Sequence, residues 1–234
     1  MFLKKYELRY GDLGENKNVK ISTVLELLQD ISIAHSGAAG FSLNKLYAQS
    51  NAFLLQGWRV KFIEPLSSRS DIEVKTGIMK IRKVEAIRKY EIRQDGQLKI
   101  IATAVWFMVD TDKMKIVNIP DNLQDAYESV NEPDNGLSFV KLKPAKDLSL
   151  LGDTKVERRD IDTNGHMNNV KSVDAALEFI SDKMEIAELQ VTYRRELFRG
   201  STVQIYGKTS ENDYYAELKN ESGETCVLVH ALGK

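Results

Sequence analysis

The sequence predicts an α+β fold in which one unit, a helix followed by antiparallel strands, occurs twice in tandem. Three observations predict it. The apolar period changes from helical to alternating after about residue 50, and the same change recurs after about residue 182. Between the two lies a stretch, 118–151, dense in turn formers: Pro120, Asn131-Glu132-Pro133-Asp134-Asn135-Gly136 and Pro144. The expected organisation is therefore a first unit over 1–130, a linker over 131–151 and a second unit over 152–234.

Taken in order, 2–9 reads as a short strand, and Gly11-Asp12-Leu13-Gly14 as a turn. From 19 to about 37, Val24, Leu27, Leu28, Ile31 and Ala34 recur at helical spacing, and Gly37 with Gly40 supplies the stop. A weaker helix is expected over 43–49. Strands follow at 56–63, 71–81, 84–93 and 98–109, with Asp95-Gly96 as a hairpin turn, so the expected order is a helix and then an antiparallel meander. The run 100–109 is the most apolar, but its ten residues fall far short of a bilayer span, and it reads as a buried strand. In the second half a helix is expected over 168–182 and strands at 187–195, 202–208, 214–220 and 225–231. Ser222-Gly223 stands where Asp95-Gly96 stood.

The halves can be laid on one another. An offset of 151 residues places Gly14 on Gly165, Asn18 on Asn169, Val19 on Val170 and Lys20 on Lys171. An offset of 131 places Ser70-Asp71-Ile72-Glu73-Val74 on Ser201-Thr202-Val203-Gln204-Ile205 with the apolar alternation in register. On this superposition Asp162, Asn164 and His166 face Gly11, Leu13 and Glu15, and Glu196 faces Pro65. A polar constellation confined to one copy is hard to explain as scaffold.

That constellation lies in Arg159-Asp160-Ile161-Asp162-Thr163-Asn164-Gly165-His166-Met167-Asn168-Asn169-Val170-Lys171. Asp162, Asn164 and His166 sit at every second position, and in an extended backbone they would point the same way. Asn168 or Asn169 suits the N-cap of the following helix, whose start offers unpaired N–H groups and partial positive charge. An acid, an amide, an imidazole and a helix start together suit polarisation of a carbonyl. The competing structural reading is a polar loop whose Asp, Asn and Gly make a turn.

Composition bounds the chemistry. With 234 residues, 42% hydrophobic, 29% charged and a net charge of -1, the chain reads as an ordinary globular protein without a global signal for nucleic acid or membrane. Cys226 is the only cysteine, which excludes an internal disulfide and a cysteine-rich metal site and suits a reducing cytoplasm. Met1-Phe2-Leu3-Lys4-Lys5-Tyr6-Glu7 has no signal-peptide core, so no export is expected. There is no Gly-x-Ser-x-Gly elbow, His-Glu-x-x-His, phosphate loop or dinucleotide fingerprint, and no cofactor is expected.

Other residues read as structural. His35 sits on the first helix without an acid or nucleophile at a telling spacing, and His230 lies on the terminal strand. Lys80, Arg82, Lys83, Arg88 and Lys89 read as the solvated side of a hairpin. Arg158, Arg159, Arg194, Arg195 and Arg199 flank the polar motif and form a candidate docking patch for an acidic partner.

A helix wrapped by an antiparallel sheet, present twice, with Asp-x-Asn-x-His-x-Asn-Asn-Val-Lys opening the second helix and Tyr193-Arg194-Arg195-Glu196 on the strand after it, resembles the acyl-acyl carrier protein (acyl-ACP) thioesterases of plants and bacteria. Leu28-Gln29-Asp30-Ile31-Ser32-Ile33-Ala34-His35 and Gly37-Ala38-Ala39-Gly40 extend the resemblance into the first half. It implies a double hotdog fold and hydrolysis of the thioester between a fatty acyl chain and the carrier protein's phosphopantetheine, without metal or cofactor. It implies Asp162, Asn164, His166 and Glu196 as the catalytic set and the first repeat as the acyl-chain binder. Trp58, Asn168, Asn169, Arg194 and Arg195 are expected at the substrate, and Trp58 and Phe62 lie in the region that lines the acyl tunnel in this family.

Two departures from the plant pattern shape the expectation. No plastid transit peptide is seen, which suggests a bacterial, cytoplasmic enzyme. The plant motif carries a cysteine after Tyr-Arg-Arg-Glu, and here that position is Leu197, so water is the expected nucleophile. A thioester is already activated, and its hydrolysis needs a base for water, a polariser for the carbonyl and an orienter for the base. Glu196 is expected as the base, desolvated between sheet and helix. His166 would position the water or return the proton to the thiol, Asp162 would fix the His166 tautomer or hold the loop, and Asn164 would face the oxyanion; the base and orienter assignments stay exchangeable among Glu196, His166 and Asp162. An acyl-coenzyme A thioesterase, a non-catalytic acyl-ligand binder and a hydratase are the alternatives. A monomeric pseudodimer and a homodimer both fit two fused repeats.

Overall fold

The computed structural model describes residues 1–67, 71–127 and 135–234. Ser70 of the repeat comparison, Asn131-Glu132-Pro133-Asp134 of the turn-forming cluster and the expected boundary between 130 and 131 lie outside the described residues. The chain divides into two compact units: 1–56 with 60–139, and 57–59 with 140–234.

In the first unit the elements are β1 (Phe2–Tyr6), α1 (Ile21–Ala38), α2 (Leu43–Ala48), β2 (Asn51–Phe62, apart from 57–59), β3 (Ile72–Arg82), β4 (Glu85–Gln94), β5 (Gln97–Asp110), β6 (Lys115–Ile116) and α3 (Asp121–Ala126). Val24, Leu25, Leu28 and Ile31 are the fully buried apolar residues of α1, so the apolar stripe lies slightly to one side of the expected one, with Leu27 and Ala34 half-buried. The helix packs on β3 and β1. Strand order is β1-β3-β4-β5-β2, antiparallel where β1, β3, β4 and β5 pair, with β6 on β5. The expected meander therefore holds for β3-β4-β5 only. β2 does not pair with its sequence neighbour β3 but lies beside β5, and β1 occupies the edge of β3. Asp95 and Gly96 make the two-residue hairpin, with φ of 51° and 76°, the left-handed pair that matches strand twist.

In the second unit the elements are β7 (Ser149–Lys155), α4 (Asn169–Leu177), β8 (Ile186–Tyr193), β9 (Thr202–Thr209), β10 (Asp213–Lys219) and β11 (Thr225–Gly233). The order β8-β11-β10-β9-β7 repeats the plan: a three-strand meander with the first strand of the repeat on one edge and the strand after the helix on the other. Each unit is thus one hotdog, a helix wrapped by an antiparallel sheet, and the fold is the double hotdog.

Three differences from expectation have local causes. α4 ends at Leu177 rather than near 182: the Ile180 N–H bonds back to Leu177 C=O at 3.1 Å, tightening the chain, and Phe179 packs on Gly152 of β7. A Cβ on Gly152 would sit 2.6 Å from that ring. β7 starts within the stretch expected as linker, and 142–145 is tied to the second sheet. Leu142 N–H donates to Thr192 Oγ1 (3.0 Å), Tyr215 OH to Lys143 C=O (2.6 Å) and Ala145 N–H to the buried Glu217 carboxylate (2.7 Å). α3 was not anticipated; Pro120, read as a breaker, is its N-cap and supplies the fixed φ of a helix start. Among the described residues no helix is long and apolar enough to cross a membrane.

Candidate active site

The polar motif folds as a turn, not as an extended strand. A short 3₁₀ turn at Arg158–Asp160 leads in, with Asp160 accepting from Glu157 N–H at 2.8 Å and its carbonyl taking Asn168 N–H at 2.7 Å. Asp162 N–H donates to His166 C=O (2.8 Å) and Gly165 N–H to Asp162 C=O (3.1 Å), with Gly165 at φ 82°. The Asp162 carboxylate accepts from the backbone N–H of Asn164 (2.8 Å) and His166 (3.2 Å), and from the Asn164 amide at 3.5 Å. This corrects the alternation argument. An Asp hydrogen-bonding its own backbone two residues on competes successfully with extended structure, and glycine supplies the left-handed residue the turn needs. Of the two roles open to Asp162, the geometry shows it holding the loop; its contacts are to amides and not to the imidazole.

The loop is pinned to the chain that carries Glu196. Met167 N–H donates to Leu197 C=O at 2.7 Å, and His166 forms a backbone bridge with Phe198. Segment 196–198 thus runs beside the turn that presents His166. The imidazole meets the Phe198 ring edge to face, centroids 5.1 Å apart at 85°, and its nitrogens make no hydrogen bond among the described residues. Glu196 is exposed and likewise has no hydrogen bond or ion pair among the described residues, so the expected desolvation between sheet and helix is not found. The cause is local: Leu197, the next residue, takes the buried position at 4% exposure and turns Glu196 outward.

Of the remaining expected residues, Asn168, Asn169 and Trp58 fall around the start of α4. Asn168 is its N-cap, accepting from Val170 N–H at 2.8 Å. The Asn169 carbonyl accepts from Ser172 Oγ (2.8 Å) and Tyr193 OH (3.1 Å). Trp58, buried and grouped with the second unit, hydrogen-bonds the Tyr193 hydroxyl, and burial holds that phenol above its ordinary range. Arg194 and Arg195 are exposed, both donate backbone N–H to Cys226 C=O, and Arg195 pairs with Glu224 at 2.9 Å. Cys226 is buried, and burial pushes its thiol up, away from the reactive thiolate. Phe198 is a site neighbour that the sequence reading does not single out; its place two residues beyond the Tyr193-Arg194-Arg195-Glu196 motif is the one signal that points to it. Among the described residues no group of three or more His, Cys, Asp or Glu side chains could hold a metal ion.

The geometry also revises the internal superposition. Arg9 N–H to Asp12 Oδ2, Gly14 N–H to Asn18 C=O, Lys17 N–H to Gly14 C=O and Lys20 N–H to Asp12 C=O recur as Glu157 to Asp160, Asp162 to His166, Gly165 to Asp162 and Asn168 to Asp160. The true offset around the loop is 148, three fewer than glycine matching suggested. Asp162, Asn164 and His166 therefore stand opposite Gly14, Asn16 and Asn18. The amide has a counterpart in the first repeat; the carboxylate and imidazole do not. The 131 offset survives: Val19 N–H donates to Leu66 C=O as Met167 does to Leu197, and Glu196 still faces Pro65.

In the first unit His35 is structural and neutral. Its Nδ1 accepts from Arg88 Nη1 at 2.8 Å, Phe2 stacks on it at 5.2 Å, and burial, then the Arg88 charge, hold it down at about 4. Arg88 and Lys89, expected on a solvated hairpin face, are instead buried, and β4 turns Arg88 toward α1, where it meets His35.

The family model of the acyl-ACP thioesterase N-terminal domain matches residues 1–127, and that of the C-terminal domain matches 144–232. The chain belongs to the acyl-ACP thioesterase family. An oleoyl-acyl carrier protein thioesterase of Arabidopsis thaliana is 25% identical, over 96% of this chain and 67% of its own length. A palmitoyl-acyl carrier protein thioesterase of Cuphea hookeriana is 24% identical, over 87% of this chain. The chain spans 54% of that relative's length. The fold matches the crystal structure of an acyl-ACP thioesterase from Bacteroides thetaiotaomicron, with a TM-score of 0.92 at 17% identity, over 100% of this chain and 97% of the other. It also matches the 12:0-ACP thioesterase from Umbellularia californica, with a TM-score of 0.85 at 16% identity, over 100% and 96%.

Proposed function

We propose that this acyl-ACP thioesterase family member hydrolyses the thioester of fatty acyl-acyl carrier protein in the cytoplasm, releasing free fatty acid, with the first repeat taking the acyl chain and the second the chemistry. Family membership supports the reaction class. One observation in the molecule carries the assignment of the site: the turn presenting His166 is hydrogen-bonded to the segment bearing Glu196, through Met167 N–H and Leu197 C=O. The His166 and Glu196 side chains are left for proton transfer, whereas the Asp162 carboxylate is committed to backbone amides.

In this reading water loses a proton to the Glu196/His166 pair as its oxygen attacks the thioester carbon. Asn164 and the positive end of α4 face the developing oxyanion. The carbon–sulfur bond then breaks, the sulfur of phosphopantetheine recovers the proton, and fatty acid leaves. No thiol takes part: Leu197 is not a nucleophile, and Cys226 is buried. Arg194 and the other exposed arginines beside the motif would meet the acidic carrier protein.

The test is release of free thiol from acyl-carrier proteins of graded chain length, beside the matching coenzyme A thioesters. His166→Ala and Glu196→Ala are each expected to lower kcat about 10²–10⁴-fold with the fold intact. Preferential turnover of coenzyme A thioesters would transfer the assignment to that handle. No turnover of either thioester by the folded native protein would overturn it.

A further inference from the structure

The first unit holds a buried cation, Arg88, that has no carboxylate partner among the described residues. Arg88 on β4 is 4% exposed, its cross-strand neighbours are Ile78 and Ala104, and it borders an apolar cluster that includes Ile78, Ala86, Met108 and Tyr127. Its Nη1 donates to His35 Nδ1 (2.8 Å) and Thr76 Oγ1 (3.3 Å), and the guanidinium lies 5.5 Å over the Tyr127 ring. Among the described residues Nε and Nη2 make no hydrogen bond, and no carboxylate pairs with Arg88. The hydroxyls around it are already engaged: Tyr127 with Ser36, and Tyr90 with Ser32 and Trp106. Because His35 Nδ1 accepts from Arg88, the imidazole proton sits on Nε2, which makes His35 a second donor. Among the described residues the cluster thus offers donors and positive charge and no carboxylate.

A buried charge is costly unless an opposite charge meets it. Nη1 is spent on holding the side chain, and Nε with Nη2 form the side-on edge of guanidinium, whose two parallel N–H groups match the two oxygens of a carboxylate. We propose that this edge of Arg88 binds the carboxylate of a ligand with an alkyl body, either a free fatty acid or an acyl chain bearing an acid at its far end. The site uses none of the residues assigned to hydrolysis, so it stands or falls separately from that reading.

The test is calorimetric titration of the full chain with decanoate and with 1-decanol, repeated on Arg88→Met and Arg88→Lys, alongside the Arg Nε–H resonances of the native protein. Native protein is expected to prefer decanoate by about tenfold or more, the scale of a charge-assisted bidentate pair. Arg88→Met should bind acid and alcohol alike. Arg88→Lys, keeping the charge but not the fork, should retain only part of the preference. Equal binding of acid and alcohol by the native protein, or an undiminished preference in Arg88→Met, would overturn the proposal. Should Arg88→Met fail to fold, the resonances decide: an Arg Nε–H moved downfield by decanoate and not by decanol supports the site, and no movement sinks it. Comparing carrier thioesters of decanoic and decanedioic acid identifies the source. Arg88-dependent preference for the diacid chain marks the acyl substrate, and its absence beside decanoate binding marks the free acid.

Discussion

Asp162 puts its carboxylate to use on its own loop, accepting from the amides of Asn164 and His166, and this separates a positioning role from a proton-transfer one. Asp162→Asn keeps one acceptor oxygen, whereas Asp162→Ala removes both. Asp162→Ala is therefore expected to lose about 1–3 kcal/mol of stability by urea unfolding, for hydrogen bonds to a charged group, and to lower kcat more than Asp162→Asn. Equal loss of activity in both variants would point to the carboxylate as the base instead. The three side chains were visible in the sequence from their residue types. Their arrangement was not, because strict alternation argued for a strand while Gly165, midway, was the residue that allowed a turn. Glu196 was legible for the same chemical reason, and its exposure was not, since burial depends on which way the neighbouring Leu197 points.

At the level of elements, the strands and the first helix follow from period, because an apolar residue every second or every third to fourth position has one way to bury its face. What period cannot reveal is which strand lies beside which. β2 flanks β5 rather than β3, a long-range choice that no local signal records. The early end of α4 is of the same kind: Phe179 is helix-compatible, and the chain turns there because Gly152, 27 residues earlier, leaves room for its ring. Gly152→Ala is expected to destabilise by about 1–3 kcal/mol through overpacking, and Phe179→Leu in the same chain to recover part of it. Thermal unfolding of the single and double variants measures both. Independent, additive effects would show that the two residues do not share the contact.

For the molecule as a whole, the first unit ties its stability to pH through His35. The folded chain holds this imidazole at about 4 and the unfolded chain near 6.5, so between those values the unfolded state binds the extra proton. Stability should fall as pH drops through that window and lose nothing further from this group below it. His35→Gln, which cannot take up a proton, should show a shallower fall from pH 6.5 to 4 by denaturant unfolding; an unchanged slope would remove His35 as the cause. The repeat itself was legible, since two helix-to-strand changes and two Gly-containing hairpin turns recur along the chain. Its register was three residues off at the loop, because identical glycines attracted the alignment while the conserved feature is a hydrogen-bonding pattern made by different residues. The sequence by itself determined two helix-plus-sheet units and the chemistry available to the second, because both are written in residue type and spacing over short distances. Only the tertiary structure decided strand order, the turn that carries His166, the exposure of Glu196 and the burial of Arg88. Each of those depends on contacts between residues far apart in the chain, or on which face a backbone presents once its neighbours are packed.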